Sequence, residues 1–217
     1  MEKTQSNKTV EKIKDLSTYL QKKYSKTSKP HSITDNSSMS RLIANIISII
    51  MHPVVMAFFI GYTASIQFNT NATTTLLLFA PIAIIITTYI IIFVFIKQDA
   101  DIEFTDVKTR PPLLFSGITG ILISLLIAKF FLPEAESFFT RLLIIITAVT
   151  TITFYWKISF HATIYTMAIF YSYKILGNNY LFLLALLPIL YWSRIKLHKH
   201  ELAQLIIGSI ISSLIIL

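Results

Sequence analysis

The chain has 217 residues, of which 54% are apolar and 14% charged, and it carries a formal net charge of +8 with no cysteine. That length suits one compact domain, but the apolar share lies well outside the soluble range, and the absence of thiols excludes disulfides, thiolate nucleophiles and cysteine-ligated metals or clusters. The positive charge sits in the first forty residues and in short loops beside apolar runs, which points to membrane flanks meeting anionic lipid and not to nucleic acid.

Residues 1–40 are rich in Lys, Ser, Thr and Asn and lack the apolar core of a signal peptide, so they are predicted to form a basic polar tail. Within it Val10, Ile13, Leu16, Tyr19 and Leu20 recur at three- and four-residue spacings. That pattern is compatible with an amphipathic helix on a membrane surface or with a partly disordered segment. Residues 41–217 are predicted to be a membrane-embedded domain. Its apolar spans fall at 42–66, 76–96, 113–132, 140–157, 159–176, 180–192 and 200–217. A run of about 20 apolar residues crosses a hydrocarbon core of roughly 30 Å, whereas the 180–192 stretch supplies only about 20 Å of helix. The predicted fold is therefore all-α, a polytopic integral membrane helical bundle of six or seven transmembrane helices.

Lysine and arginine set the expected orientation. The tail is basic and the connection "QFNTNATTT" is uncharged, so the N-terminus is predicted to be cytoplasmic, with Lys97 to Arg110, Lys157 and Arg194 to Lys199 on the same side. Three polar islands interrupt the apolar spans: "DIEFTDVKTRPP" (101–112), "WKISFH" (156–161) and "WSRIKLHKHELAQ" (192–204). Two spans separate each from the next, and an even number of crossings returns a chain to the same face. All three islands are thus predicted to meet at one membrane surface, whichever side the N-terminus occupies.

Their residue types suit the capture of an oxyanion. Lys108, Arg110 and Arg194 are cations able to hold phosphate, and His161 and His200 can act as nucleophile, acid or base near neutral pH. Each has a plainer reading. Lys108 by itself reads as an ordinary interfacial charge and Ser159 as a helix cap, whereas His161 lies in an apolar stretch where an ionisable group is costly. His198 reads as a solvated loop residue. If 200–204 is helical, Gln204 lies one turn from His200 on the same face, while His198 is turned away by about 200°.

The third island, with Ser193, Arg194, His200 and Gln204, is similar to the signature S-R-x5-H-x3-D of the type 2 phosphatidic acid phosphatase (vanadium haloperoxidase-like) superfamily. "SFH" at 159–161 resembles that family's second signature P-S-G-H, and "KTRPP" the end of its first, K-x6-R-P. The resemblance spans about residues 50–210 in matching order. "WKISFH" and "HELAQ" resemble divergent prokaryotic members, which implies a prokaryotic plasma membrane protein; the loop lysines and arginines set the expected side of its site as cytoplasmic. The resemblance implies a metal-independent lipid phosphatase without cofactor, working through a phosphohistidine on a lipid phosphate or isoprenoid diphosphate. His200 would be the nucleophile, His161 the general acid, Gln204 the partner that orients His200, and Lys108, Arg110, Ser159 and Arg194 the phosphate ligands. The chain departs from the pattern at three places. Gln204 replaces Asp, Glu103 stands where the first lysine is expected, and Ile158 and Phe160 replace the proline and glycine of the second signature.

Two other readings compete. Asp99, Asp101, Glu103 and Asp106 form an acidic cluster suited to Mg²⁺ diphosphate, as in an intramembrane prenyltransferase, but a second Asp-rich motif is missing. A catalytically inactive lipid-phosphate-binding membrane protein is the other, because the substitutions at Glu103 and Gln204 are what loss of catalysis would leave. Membrane lipids are the partners expected on every reading.

Overall fold

The computed structural model describes residues 35–96 and 110–217. The tail segment 10–20, Lys108 and the acidic residues Asp99, Asp101, Glu103 and Asp106 lie outside the described residues. The chain divides into two units, Met1–Ser40 and Arg41–Leu217, and the candidate site lies wholly in the second.

All regular structure among the described residues is helical: α1 (Asp35–Ile50), α2 (Pro53–Gln67), α3 (Ala72–Ile96), α4 (Arg110–Phe131), α5 (Glu136–Thr153), α6 (Phe160–Leu176), α7 (Leu187–Lys196) and α8 (Leu202–Ile216). Short 3-10 segments Pro133–Ala135 and Asn178–Leu186 lead into α5 and α7. Four helical stretches among the described residues are long and apolar enough to cross a membrane: Ser38–Gln67, Ala72–Ile96, Arg110–Phe131 and Pro133–Thr153. α8 is apolar but shorter, with 15 residues, and α6 has 17.

Exposure identifies the solvent. In α3 only Leu78 is buried, and Phe95 and Ile96 are 83% and 75% exposed. A helix this apolar all round, with almost none of it covered by protein, is stable only where lipid covers it. The backbone demands the same answer, because a helix satisfies its own N–H and C=O groups without water.

Two expected boundaries shift. The 42–66 span is broken at Met51–His52, because Pro53 donates no N–H and disfavours helical geometry in the residue before it. His52 is accordingly extended, with φ −65° and ψ 142°. The 180–192 span is likewise not one helix. Gly177 ends α6 at φ 101°, a conformation L side chains rarely adopt, and nine residues of 3-10 turn follow before α7 starts at Leu187, with Pro188 in its first turn.

The described chain runs back and forth between two ends. At one end, Tyr171 of α6 bonds Gln67 of α2 at 2.5 Å, while Arg141 of α5 donates to Ile216 O at 2.7 Å and Lys174 of α6 to the same carbonyl at 3.3 Å. Two cations thus meet the carbonyl end of α8, where the helix dipole is negative. Phe79, Phe138, Phe139 and Tyr171 pack beside them, with the Phe138 and Tyr171 rings 4.9 Å apart. The opposite end holds the described parts of the polar islands.

α6 is the central element. Of its 17 residues ten are buried, and it packs on α2, α8 and the 3-10 segment before α7. Its small and hydroxylated side chains let neighbours come close and bond across: Ser172 meets Thr63 of α2 at 3.1 Å, and Thr166 donates to Ser209 of α8 at 2.9 Å. The close approach to α6 is at Gly208 of α8. A Cβ there would stand 2.7 Å from Thr163 Oγ1 and 3.0 Å from Ser159 O. Gly61 of α2 faces open space, with nothing within 4 Å. Gly208→Ala is therefore expected to cost about 1–3 kcal/mol through overpacking, while Gly61→Ala is neutral or slightly stabilising. Thermal unfolding of both variants in detergent measures the contrast.

Candidate active site

The N-termini of α2, α4, α6 and α8 gather at the polar end. The His52 ring at the start of α2 lies against His161 in the first turn of α6, with centroids 5.3 Å apart. Arg110, the first residue of α4, donates from Nη1 to Ile158 O at 2.8 Å, just before α6. Ser159, the N-cap of α6, donates its N–H to Gln204 O in the first turn of α8 at 3.3 Å. Each helix N-terminus carries a partial positive charge that suits an anion, while α5 and α7 bring their C-terminal ends to the same place.

The side chains add to that field. Arg194 and Arg110 are 3% and 4% exposed, and His161 lies within electrostatic reach of both and of His52 and His200. His200 is likewise within reach of Arg110, Lys157 and Arg194. Within Arg41–Leu217 the described acidic residues are Glu134 and Glu136, at the other end, and Glu201, which is exposed. No group of three or more potential metal-ligating side chains occurs among the described residues.

His200 reaches the cluster because α7 stops abruptly. Its last turn closes with Lys199 N–H donating to Arg194 O at 3.0 Å and His198 N–H to Ile195 O at 2.9 Å, around His198 in the left-handed conformation at φ 55°. This is a Schellman-type stop, and it turns the exposed His198 outward and the buried His200 inward. His200 precedes α8 and is not part of the helix, so the expected one-turn helical spacing to Gln204 is not the relation that holds. The contact forms all the same: His200 Nδ1 lies 3.0 Å from Gln204 Oε1.

That contact determines the tautomer. Gln204 Oε1 also accepts the Glu201 N–H at 3.3 Å, in the manner of a capping box, which identifies this end of the amide as the oxygen. An oxygen cannot donate, so Nδ1 of His200 carries the proton and Nε2 of the neutral ring presents its lone pair.

The remaining expected residues fall in the same place. His161 is buried, and its Nε2 makes no hydrogen bond among the described residues. Arg194 donates from Nη1 to Ser48 of α1 at 2.5 Å, and the adjacent Ser193 donates to Ala44 O at 2.7 Å, so α7 is tied to α1 through the Ser193–Arg194 pair. Ser159 is fully buried and its hydroxyl oxygen caps α6, accepting the Ala162 N–H at 3.5 Å. Arg110, Ser159, His161, Arg194, His200 and Gln204 thus come together, and Lys108 lies outside the described residues.

Two residues at the cluster were not singled out from sequence. Lys157, half-buried, had read only as a flanking charge, although it stands in the same island as His161. His52 sits alone in an apolar span, and an ionisable residue in such a span is itself the signal that marks it.

No family model, curated protein or solved structure matches this chain. The geometry is accordingly the main support for what the site does.

Burial, aided by the charges of Arg110, Lys157 and Arg194, pushes the His200 imidazole down to about 3 against the opposing bond from Gln204. The unfolded chain, with an ordinary value near 6.5, takes up the proton first as pH falls. The stability contributed by neutral His200 is therefore complete above about pH 6.5 and is lost as the pH falls toward 3. An NMR titration of the ring in detergent is expected to find His200 still neutral at about pH 5. Gln204→Asp should raise its midpoint, because a carboxylate stabilises imidazolium and an amide carries no charge.

Proposed function

We propose that this protein is an integral-membrane hydrolase that removes phosphate from a lipid phosphate or diphosphate through a phosphohistidine, without a metal cofactor. The observation that carries the reading is the Gln204 contact at 3.0 Å, which leaves Nε2 of His200 unprotonated on a ring within reach of the Arg110, Lys157 and Arg194 charges. A nucleophile needs that lone pair, and a phosphoryl group needs the surrounding positive charge. The resemblance of the three polar islands to the type 2 phosphatidic acid phosphatase signatures supports the same chemistry.

In the proposed reaction His200 Nε2 bonds to phosphorus as the bond to the leaving oxygen breaks, and its electron pair departs with that oxygen. His161 donates the proton the leaving group takes. Arg110 and Arg194 offset charge on the phosphoryl oxygens, with the helix N-termini behind them. Water then attacks the phosphohistidine, His161 recovers a proton from it, and inorganic phosphate leaves with His200 neutral again. Gln204 holds the ring throughout. Its amide does not neutralise the developing imidazolium, and the reading therefore assigns more of that task to the phosphate itself.

Membrane embedding suits such a substrate, whose tail stays in lipid while the headgroup enters the polar end. On this reading the bundle makes seven traverses, α2 to α6, then the 3-10 segment with α7, then α8. The 3-10 segment and α7 together span about 33 Å. We take the site to lie on the cytoplasmic side of a prokaryotic plasma membrane, the side that the loop lysines and arginines favour.

Phosphate release from a panel of lipid phosphates and diphosphates, with EDTA present, is the decisive measurement. His200→Ala and His161→Ala are each expected to lower it by about 10²-fold or more while the protein stays folded in detergent. Full activity of His200→Ala would remove the mechanism. Activity that needs Mg²⁺ and is lost on substitution of Asp99 or Asp101 would favour prenyl transfer, and binding without release would favour an inactive lipid-phosphate binder.

A further inference from the structure

Ser48 of α1 reaches a candidate-site arginine from outside the three polar islands. Ala44 and Ser48 are one turn apart on α1 and buried, whereas Ile46 and Ile49 are exposed. Just beyond the helix, Met51 packs with Leu190 of α7 and with Tyr165 and Ile169 of α6. The polar contacts between α1 and α7 are reciprocal. Ser193 donates to Ala44 O at 2.7 Å, and the next residue, Arg194, donates from Nη1 to Ser48 Oγ at 2.5 Å. A hydroxyl inside a helix often turns back on the carbonyl four residues earlier, as Thr150, Thr153 and Ser212 do here. For Ser48 that carbonyl is Ala44 O, which accepts the Ser193 hydroxyl, and Ser48 Oγ meets Arg194 instead.

The bond selects one of two places for the guanidinium. Arg194 stands in the last turn of α7, whose carbonyl end attracts a cation. A long side chain there can bend back to those carbonyls or extend to α1, and the Ser48 bond holds it extended. Held so, its charge is within electrostatic reach of both His161 and His200. Anchoring one nitrogen of a planar guanidinium also restricts its plane, and with it the directions in which the other N–H groups point. Arg194 and Ser48 are 3% and 7% exposed, so water competes little for the bond.

We propose that Ser48 is a positioning residue for phosphoryl transfer, holding the Arg194 guanidinium through Nη1 in the orientation in which it offsets charge on the phosphoryl oxygens. The inference rests on the hydrolase reading above. Ser48 touches no substrate and transfers no proton; it acts through Arg194. The role gives α1, which carries none of the three polar islands, a part in the reaction.

The test measures kcat and KM for phosphate release from a lipid phosphate in mixed micelles with EDTA, with thermal unfolding in detergent to show that each variant is folded. Ser48→Ala is expected to lower kcat about tenfold, the effect of losing one hydrogen bond to a charged group. KM should change less, because the charge is still present and only its placement for the transition state is lost. Ser48→Thr keeps the hydroxyl and should restore most of kcat. A double-mutant cycle with Arg194→Lys reports whether the serine acts through the arginine. An ammonium has no plane to hold, so in that background Ser48→Ala should cost about twofold or less. An unaltered kcat in Ser48→Ala, a loss that a folded Ser48→Thr does not restore, or an equal fold-loss in both backgrounds overturns the inference; where Ser48→Thr does not fold, the cycle decides. His200→Ala separates the two levels. If release in the unaltered protein does not depend on His200, the hydrolase reading fails and takes this inference with it; if it does depend on His200 and Ser48→Ala leaves kcat unaltered, only the inference fails.

Discussion

The close approach of α6 and α8 is the constraint on which the rest depends. Gly208 lets the two helices touch backbone to backbone, with room for no side chain between Thr163 Oγ1 and Ser159 O. Because of it, the Ser159 N–H reaches Gln204 O, and the second and third polar islands are joined by a main-chain bond and not merely brought near each other. Lipid supplies little drive for helices to associate, so contacts of this kind, small residues and hydroxyl bonds such as Thr166 to Ser209, must hold the bundle. The site inherits its precision from that packing.

α2, α4, α6 and α8 all begin at the candidate site, where α5 and α7 end. At the other end, Arg141 and Lys174 meet the carbonyls that finish α8. Cations thus serve two different purposes in one small protein. At the far end they answer the helix's own negative pole, as Arg194 does in the last turn of α7, while Arg110 opens α4 beside a positive pole, where it adds to a charge that a bound anion balances. That position is a physical reason for reading Arg110 as functional.

Much of this was legible in the residues. The apolar runs gave an all-helical, membrane-embedded chain, and the even number of spans between islands led to the expectation that Arg110, His161 and His200 would share a face. The boundaries were less legible. The break at His52 and Pro53 was written in the proline but hidden inside a run whose apolar character suggested continuity. The stretch 180–192 looked like a short helix because composition does not distinguish 3-10 from α geometry, and Gly177 was the signal that mattered. His52 itself was passed over because its significance lies in a ring packed against a residue 109 positions away.

The sequence by itself determined the solvent, the helical class and the set of side chains available for chemistry, since these follow from hydropathy, run length and residue type, all properties of the chain read locally. It did not determine which nitrogen of His200 is protonated, by what turn His198 faces outward and His200 inward, or that His52 joins the cluster. Those were decided by the left-handed turn at His198, the double acceptance at Gln204 Oε1 and the elbow between α1 and α2. Each depends on directions in space and on atoms far apart in the chain. A hydrogen bond of 3.0 Å is a tertiary fact, and residue type alone does not contain it.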